Sequence, residues 1–365
     1  MRKFLTVLHR WAGLTLGVLL LALGISGSAL VFRVDIERWQ TATMRSVTPL
    51  AERGPVDEWV RAAAGYVPRK VLARITLPAN DTDAAQVFMR LAAARNLKQA
   101  QLEVVFVDPY RATALGSKPA NSGILWSLQD FHYALFFGET GLKINGVGAF
   151  ALVLLGLSGP ILWWPGWKRR ADALRVRLRP TPAKWRDLHA VSGVVICLAL
   201  LLIGATGVYY AYRSTADSVV MLVTGNAARA APRSAPQAAV PMLTLQDLLA
   251  SAQRLVPDAH FDELRPARAP GSAANLSFRL PGDLVFARHR LFLDPQSGAL
   301  LRMDRYDQLT LGERVMANIQ PWHYGYFAGL WSQWLWVIAG FLPAFLFGSG
   351  IWLWWRRRRS APVRP

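Results

Sequence analysis

Four long runs of uncharged, mostly apolar residues divide the chain. Three of them, 11–32, 144–167 and 188–212, are each longer than the about 20 apolar residues that a helix needs to cross a bilayer. Each is therefore predicted to be one transmembrane helix. The first run follows Arg2 and Lys3, as in a secretory signal peptide, but its span length predicts a helix that is not cleaved.

The fourth run, 315–355, is too long for a single transmembrane helix. Pro321 and Gly325 near its beginning indicate an interrupted segment at the membrane interface. We therefore predict an interfacial segment at 315–332 and a fourth transmembrane helix at 333–355.

The chain combines a formal net charge of +19 with 53% hydrophobic residues. Most of this net charge, +14, lies in short segments that flank the apolar runs, namely the N-terminus, 168–187 and 356–365. Basic flanks of this kind face the cytoplasm, so the charge is interpreted as a topology signal and no nucleic-acid partner is expected. We expect a multi-pass protein of a bacterial inner membrane, with both termini cytoplasmic and segments 33–143 and 213–314 on the periplasmic side.

The residue content excludes several classes of cofactor site. Cys197 is the only cysteine, which excludes an intrachain disulfide framework, a cysteine-built zinc site and covalent haem attachment through C-x-x-C-H. The sequence also contains no G-x-G-x-x-G or G-x-x-x-x-G-K-[ST] motif. These standard nucleotide-binding loops are therefore absent from the sequence.

The second half of the sequence resembles the first. A His-x-x-x-Gly motif begins the first and third helices, a His-Tyr pair precedes the second and fourth, and Ser-Gly-x-x-Leu-Trp-Trp ends the second and fourth. Both copies run in the same direction through the membrane, which predicts two tandem parallel repeats. The matched positions are His9 and His189, Gly13 and Gly193, Gly24 and Gly204, Gly27 and Gly207, His132 and His323, Ser158 and Ser349, and Asp108 and Asp294.

Each copy also contains an outer segment with the mixed pattern of a small α+β domain. The predicted elements are helices at 57–66 and 242–256, a mixed pattern at 83–98, strands at 102–107, 276–280 and 289–293, and an Ala- and Pro-rich linker at 227–241. The predicted organisation is transmembrane helix 1–32, outer domain 33–122, interfacial segment 123–143, helix 144–167, basic loop 168–187, helix 188–212, outer domain 213–314, interfacial segment 315–332, helix 333–355 and basic tail 356–365.

Four of the six histidines occupy corresponding places in the two copies. His9 and His189 begin the two outward-going helices, whereas His132 and His323 lie just before the two inward-going helices. Ionisable side chains at such depths tend to face the bundle interior and carry function, and two imidazoles on opposite sides of a flat ring give bis-histidine haem ligation. We predict two non-covalent b-type haems, one held by His9 and His189 and the other by His132 and His323.

Gly13 and Gly193 lie one helical turn after His9 and His189 and on the same helix face. A missing side chain there would leave room for a porphyrin lying against the helix. Two other interpretations stay open, because glycine stripes also let membrane helices pack closely and a histidine at a membrane edge can be an anchor or a helix cap.

The two remaining histidines, His260 and His289, lie in the second outer segment and have no counterpart in the first. We interpret both as ordinary surface or loop histidines.

Together these motifs make the chain resemble the PepSY-associated transmembrane family, and in particular bacterial inner-membrane ferrisiderophore reductases, over essentially its whole length. The resemblance implies two PepSY-like periplasmic domains, b-type haems between transmembrane helices, and electrons carried outward to ferric iron delivered by a siderophore. In one departure, the turn at Asp108-Pro109 lacks the glycine that follows Asp294-Pro295 as Gly298. We find no flavin-binding reductase domain of the kind fused to some relatives, so the expected electron donor is a separate cytoplasmic flavoprotein or a membrane quinol.

The sequence thus predicts an enzyme, a haem-dependent ferric-siderophore reductase that serves iron uptake. Two alternatives need no haem: a membrane transporter, and a PepSY scaffold or regulatory protein in which the histidines are anchors. A transporter predicts carboxylates or broken helices at mid-span, and the four predicted spans contain no Asp, Glu, Lys or Arg.

Overall fold

A computed structural model of the chain describes residues 1–92, 101–177, 182–225, 229–230, 232–235, 240–284 and 286–359. Parts of four predicted segments lie outside the described residues: the mixed segment 83–98, the basic loop 168–187, the linker 227–241 and the tail 356–365. The chain divides into two compact units. A helical unit comprises Met1–Arg33, Ser127–Thr224 and Val315–Pro365, and a second unit comprises Val34–Trp126 and Gly225–Arg314.

The helices and strands are numbered in chain order. The helices are α1 (Arg2–Leu30), α2 (Arg33–Gln40), α3 (Ala42–Arg45), α4 (Val56–Tyr66), α5 (Gly123–Ala134), α6 (Gly138–Trp163), α7 (Arg170–Ala173), α8 (Pro182–Ala211), α9 (Arg213–Thr224), α10 (Leu245–Leu255), α11 (Leu311–Tyr324) and α12 (Gly329–Arg359). The strands are β1 (Lys70–Thr76), β2 (Ala85–Leu91), β3 (Glu103–Asp108), β4 (Thr113–Pro119), β5 (His260–Arg265), β6 (Ala274–Arg279), β7 (His289–Leu293) and β8 (Leu300–Asp304).

Four helices, α1, α6, α8 and α12, are long and apolar enough to cross a membrane. The prediction of four transmembrane helices is confirmed in this sense, although their ends differ from the predicted ones. The helix α6 ends at Trp163, before the predicted 167, because Trp164 precedes Pro165 and has an extended ψ of 111°. The helix α12 begins at Gly329 and continues through the arginines to Arg359.

The four long helices pack as a closed ring in which α1 contacts α6 and α12, and α8 contacts the same two helices. Glycines allow the closest approach. A Cβ atom at Gly24 would lie 2.2 Å from the carbonyl oxygen of Gly340, and one at Gly340 would lie 2.2 Å from Ser28 Oγ. At these two positions, therefore, glycine serves helix packing.

The predicted interfacial segments are short helices that end in left-handed backbone. Between α5 and α6, Leu135 and Phe136 have φ values of 50° and 65°, and between α11 and α12, Gly325 and Gly329 have φ values of 81° and 67°. A left-handed residue ends a right-handed helix, so α5 and α11 cannot continue into the long helices that follow. The segment 213–224, predicted to belong to an outer domain, is instead the helix α9 of the helical unit.

The second unit is built on one eight-stranded antiparallel sheet with the order β4-β3-β2-β1-β5-β6-β7-β8. The sequence predicts two separate outer domains, and the structure differs because β1 pairs with β5 through Ile75–Leu264 and Thr76–Glu263. Each of these strands would otherwise be an unpaired edge. An ion pair between Arg74 and Glu263, at 2.7 Å, reinforces the junction.

The helices α4 and α10 cap each other at their N-termini. The carboxylate of Asp57 accepts the backbone N–H groups of Leu245 and Gln246, both at 3.0 Å, and the side-chain oxygen of Gln246 accepts the N–H of Val56 at 3.1 Å. These bonds satisfy N–H groups that a helix start leaves without partners. Beneath them lies a single core that contains Trp59 and residues of both segments.

The aspartate turns of the two segments have the same backbone shape. Asp108 Oδ1 accepts the N–H groups of Tyr110 and Arg111, and Asp294 Oδ1 accepts those of Gln296 and Ser297. The missing glycine of the first turn is replaced by Ala112, which has a left-handed φ of 48°, where Gly298 in the second turn has 72°.

His289 is not a surface residue, so that interpretation is wrong. The side chain is 1% exposed, its Nδ1 accepts the N–H of Tyr306 at 3.1 Å, and its Nε2 donates to Asp283 Oδ2 at 2.9 Å. The ring also stacks on Phe278 with 5.0 Å between ring centroids. His289 is therefore a core residue of the sheet, whereas the side chain of His260 is 46% exposed, as predicted.

The strained turn gives a stability prediction. Replacing Ala112 by glycine should stabilise the β3–β4 hairpin by about 1 kcal/mol, because a left-handed φ is strained for alanine and free of strain for glycine. Gly298→Ala should destabilise β7–β8 by a similar or larger amount, because its Cβ would also lie 2.7 Å from Ser251 Oγ. Hydrogen exchange of the strand amides, read by mass spectrometry on the full chain, measures both. Faster exchange of β3–β4 in the Ala112→Gly protein would contradict this account.

Candidate functional site

The structure brings His132 and His323 together in the helical unit. Each lies in the last turn of a short helix, α5 or α11. Their ring centroids are 6.3 Å apart and their ring planes are inclined by 52°. We call this pair the outer layer.

The ring orientation of both outer-layer histidines is fixed by a hydroxyl group. His132 Nδ1 lies 2.9 Å from Ser26 Oγ on α1, and His323 Nδ1 lies 2.8 Å from Thr206 Oγ1 on α8. Each hydroxyl donates its hydrogen to the carbonyl one turn earlier, Ala22 at 2.9 Å or Leu202 at 2.7 Å.

A hydroxyl has a single hydrogen to donate, and here the helix carbonyl accepts it. The oxygen can then only accept a hydrogen from the imidazole, so Nδ1 carries the proton of the neutral ring. The other nitrogen, Nε2, is left with a free lone pair. This is the tautomer of a histidine that ligates through Nε2.

His9 and His189 have the same arrangement at the other end of the long helices, and we call them the inner layer. His9 Nδ1 lies 2.7 Å from Ser158 Oγ on α6, and His189 Nδ1 lies 2.8 Å from Ser349 Oγ on α12. The two serines donate to carbonyls of their own helices, Ser158 to that of Leu154 at 2.7 Å and Ser349 to that of Phe345 at 2.8 Å.

The inner-layer imidazoles His9 and His189 lie on α1 and α8, respectively. Each also faces a glycine of the neighbouring helix: a Cβ atom at Gly159 would lie 3.7 Å from His9 Cε1, and one at Gly350 would lie 3.6 Å from His189 Cε1.

The two layers lie near opposite ends of the long helices. His9 and Ser26, which contacts the outer layer, both belong to α1. At 1.5 Å per residue they are separated by about 25 Å along the helix axis. His189 and Thr206 have the same separation on α8.

The predicted glycines have more than one role. A Cβ atom at Gly13 would meet only Leu155, at 3.8 Å, and one at Gly193 would meet only Leu346, at 3.7 Å. Both are ordinary contacts, so no protein atom of the described residues requires glycine at these two positions. At Gly27, in contrast, a Cβ atom would lie 2.8 Å from His132 Cε1. Gly27 is therefore needed for the position of the His132 ring.

The sequence reasoning misses the four hydroxyls as partners of the histidines. Ser158 and Ser349 appear there only as part of a repeated motif, and Ser26 and Thr206 do not appear, because Ser and Thr are common in membrane helices. The available signal was that Ser26 precedes Gly27 just as Thr206 precedes Gly207.

Two buried polar atoms of the helical unit have no hydrogen-bond partner among the described residues: Asn145 Oδ1 and Trp336 Nε1. Asn145 uses its amide N–H groups to bind the carbonyls of His132 and Tyr133, at 2.7 and 2.9 Å. Trp336 is 5% exposed and packs against Ile196, Leu200 and Ala339. An orphan donor in apolar surroundings favours a bound group that supplies an acceptor.

No group of three or more His, Cys, Asp or Glu side chains in the described part of the chain could enclose a metal ion. Each histidine layer thus offers two nitrogen ligands and not the four-ligand set of a structural zinc site. The arrangement can hold a metal whose remaining ligands come from a ring that binds between the two imidazoles.

Comparison with known proteins gives two findings. The chain is 28% identical over 267 residues to an uncharacterized protein of Pseudomonas aeruginosa, PA4219, and the match covers 64% of this chain and 64%, just under two thirds, of that relative. Residues 6–357 match the family described as PepSY-associated TM region. That match extends from α1 to α12 and includes both histidine layers, so the chain is a membrane protein that belongs to the PepSY-associated TM region family.

Proposed function

We propose that this protein is a di-haem b-type cytochrome of the bacterial inner membrane that reduces ferric siderophores. It would take electrons at the cytoplasmic side and deliver them to the Fe(III) chelate in the periplasm. The observation that carries the proposal is the pair His132 and His323, with rings 6.3 Å apart and both Nε2 lone pairs free.

The separation of this pair fits two imidazoles that would bind one metal. Metal–imidazole nitrogen bonds are about 2 Å long, so two of them in line, extended to the two ring centres, give a centroid separation of about 6 Å. The buried Trp336 N–H fits a group that carries its own acceptors, such as the carboxylates of a porphyrin. His132 and His323 would hold one haem, and His9 and His189 the other.

Haem iron between two imidazoles supplies one-electron redox chemistry. The protein's own residues do the rest. The hydroxyls of Ser26, Thr206, Ser158 and Ser349 keep each Nδ1 protonated, so that each Nε2 would be the ligating nitrogen. All four histidines are partly buried among the helices of this unit.

The direction of transfer follows from charge and connectivity. The inner layer lies at the helix ends that carry the basic flanks, which the positive-inside rule assigns to the cytoplasm. Such a surface suits a small acidic donor such as a flavoprotein, and a membrane quinol is the other donor that the site allows. The chain enters the second unit after α1 and α9 and leaves it at α5 and α11, which supports a periplasmic location for that unit.

We further propose that the chain consists of two tandem copies with PepSY-like outer segments. The recurring contacts support this. The histidine–hydroxyl bonds of one half have counterparts in the other, and so do the aspartate turns at Asp108 and Asp294.

The histidine layers predict the haem content of the protein. The wild-type protein should contain about two b-type haems per chain. His132→Ala and His323→Ala should each remove the same haem, and His9→Ala and His189→Ala should each remove the other. Pyridine haemochrome assays and reduced-minus-oxidised spectra of the purified variants measure this, with His260→Ala as a control. A colourless, folded wild-type protein from haem-replete cells would contradict the cytochrome proposal.

The hydroxyls that bond to the histidines predict how fast haem is lost from variants. Thr206→Val removes the acceptor of the His323 Nδ1 hydrogen and should speed loss of haem to excess apomyoglobin by roughly 10- to 100-fold, the usual cost of removing a partner of a metal-bound histidine. Thr15→Val is the matched control, because Thr15 Oγ1 also donates to a carbonyl one turn earlier, that of Trp11 at 2.8 Å. Equal rates of haem loss in the two variants would show that the hydroxyl does not support the ligand.

A further prediction tests the reduction of ferric siderophores itself. The purified, chemically reduced protein should be reoxidised by a ferric siderophore, with Fe(II) trapped by a ferrous chelator, because oxygen ligands hold Fe(II) more weakly than Fe(III). In vesicles, loss of either haem should stop transfer from the inside. Rapid oxidation by a quinone, with no reaction with ferric chelates, would leave a transmembrane electron carrier and refute the ferrisiderophore assignment.

A further inference from the structure

We propose that the ferric chelate docks and receives its electron on one side of the bundle only, at a tyrosine cluster beside His323. The cluster consists of Tyr210, Tyr324 and Tyr326. The inference rests on the proposed function and specifies where its acceptor binds.

The cluster connects the outer layer to the protein surface through ring contacts. Tyr210 lies edge-on to His323, with ring centroids 5.1 Å apart, and Tyr324 stacks on Tyr210 at 6.4 Å with an interplanar angle of 19°. Tyr326 lies edge-on to Tyr324 at 6.3 Å. Tyr324 is 42% exposed, so an unbroken series of aromatic contacts leads from a histidine ring to solvent-accessible surface.

The neighbouring Tyr209 holds Tyr210, the ring that contacts His323, in place. Tyr209 is 6% exposed and packs edge-on against Tyr210 at 6.0 Å. Its hydroxyl donates to Asp217 Oδ1 at 2.5 Å, and Asp217 lies 3.8 Å from the guanidinium of Arg213. The helix α9, which carries both charged residues, therefore fixes the end of α8 where the cluster begins.

The His132 side of the outer layer has no such series. The positions that correspond to Tyr210 and Tyr326 are Leu30 and Leu135, both aliphatic. Tyr133, which corresponds to Tyr324, is 48% exposed. In the described residues, the only aromatic ring contact of His132 is with His323. The two sides are thus alike in their histidines and differ in the route from histidine to surface.

The chemistry of the cluster suits a ferric chelate. Flat aromatic faces stack on the planar catecholate or hydroxamate groups of such a ligand, and phenol hydroxyls donate hydrogen bonds to the anionic oxygens around the metal. A haem held by His132 and His323 would supply one electron, and the Fe(III) of the chelate would gain it and become Fe(II). No bond forms or breaks in the protein, and the tyrosines are neither oxidised nor deprotonated.

Tyrosine nitration tests the docking site without any electron transfer. The purified full-length protein would be treated with tetranitromethane, with and without saturating gallium(III) trihydroxamate or gallium(III) tris-catecholate, and mapped by peptide mass spectrometry. Gallium(III) resembles ferric iron in charge and size but is not reduced. At least one of the two chelates should slow the nitration of Tyr324 several-fold and leave Tyr133, the similarly exposed counterpart, unchanged. Equal protection of both tyrosines, or protection of neither by either chelate, would overturn the inference.

A matched pair of variants provides a second measurement. Tyr324→Leu should weaken gallium-chelate binding, followed by tryptophan fluorescence, by about tenfold, the loss expected for an aromatic contact residue, and Tyr133→Leu should change it less than about twofold. The reverse order of the two effects would also overturn the inference. The nitration experiment reports chelate binding alone. If a gallium chelate protects Tyr324 in a protein that shows no haem spectrum, the proposed function is refuted and the docking site is still supported.

Discussion

The arrangement of the helical unit depends on Ser and Thr hydroxyl groups that donate their hydrogen to a carbonyl of their own helix. In apolar surroundings, a Ser or Thr side chain donates to the carbonyl one turn earlier, and Ser26, Thr206, Ser158 and Ser349 all do so. Each can then act only as an acceptor, and the hydrogen it accepts comes from an imidazole of another helix. Because these same bonds join α1 to α5 and α6, and α8 to α11 and α12, the contacts that orient the rings also hold the bundle together.

The second unit joins its two segments by ordinary strand pairing and reciprocal capping, not by side chains specialised for chemistry. The pairing of β1 with β5 removes two sheet edges, and Asp57 and Gln246 satisfy helix ends across the two segments. The two units therefore join their halves by different interactions. In the helical unit the halves meet where α1 packs on α12 and α6 packs on α8, and in the sheet they meet at backbone.

The sequence was sufficient to predict the four long helices and the proximity of His132 and His323, because long uncharged runs and recurring motifs are local signals. It could not predict the single sheet, because the choice between two separate sheets and one joined sheet depends on whether Ile75 meets Leu264, residues far apart in the chain. The core role of His289 was missed for a similar reason, since its partners are Asp283 in the loop before its strand and Tyr306 beyond the following strand β8. The hydroxyl partners of the four histidines escaped notice because serine and threonine carry no distinctive signal in a membrane helix.

The joined sheet also sets the order of events during biogenesis. The strand β1 is synthesised long before its partner β5, and α5, α6, α8 and α9 are made between them. Until two further membrane helices have been inserted and β5 has been translated, β1 presents an open edge of the kind that invites mispairing. Completion of the sheet therefore has to wait for insertion of α6 and α8 and for translation of β5, so a chain truncated after α6 would leave this edge of β1 unpaired.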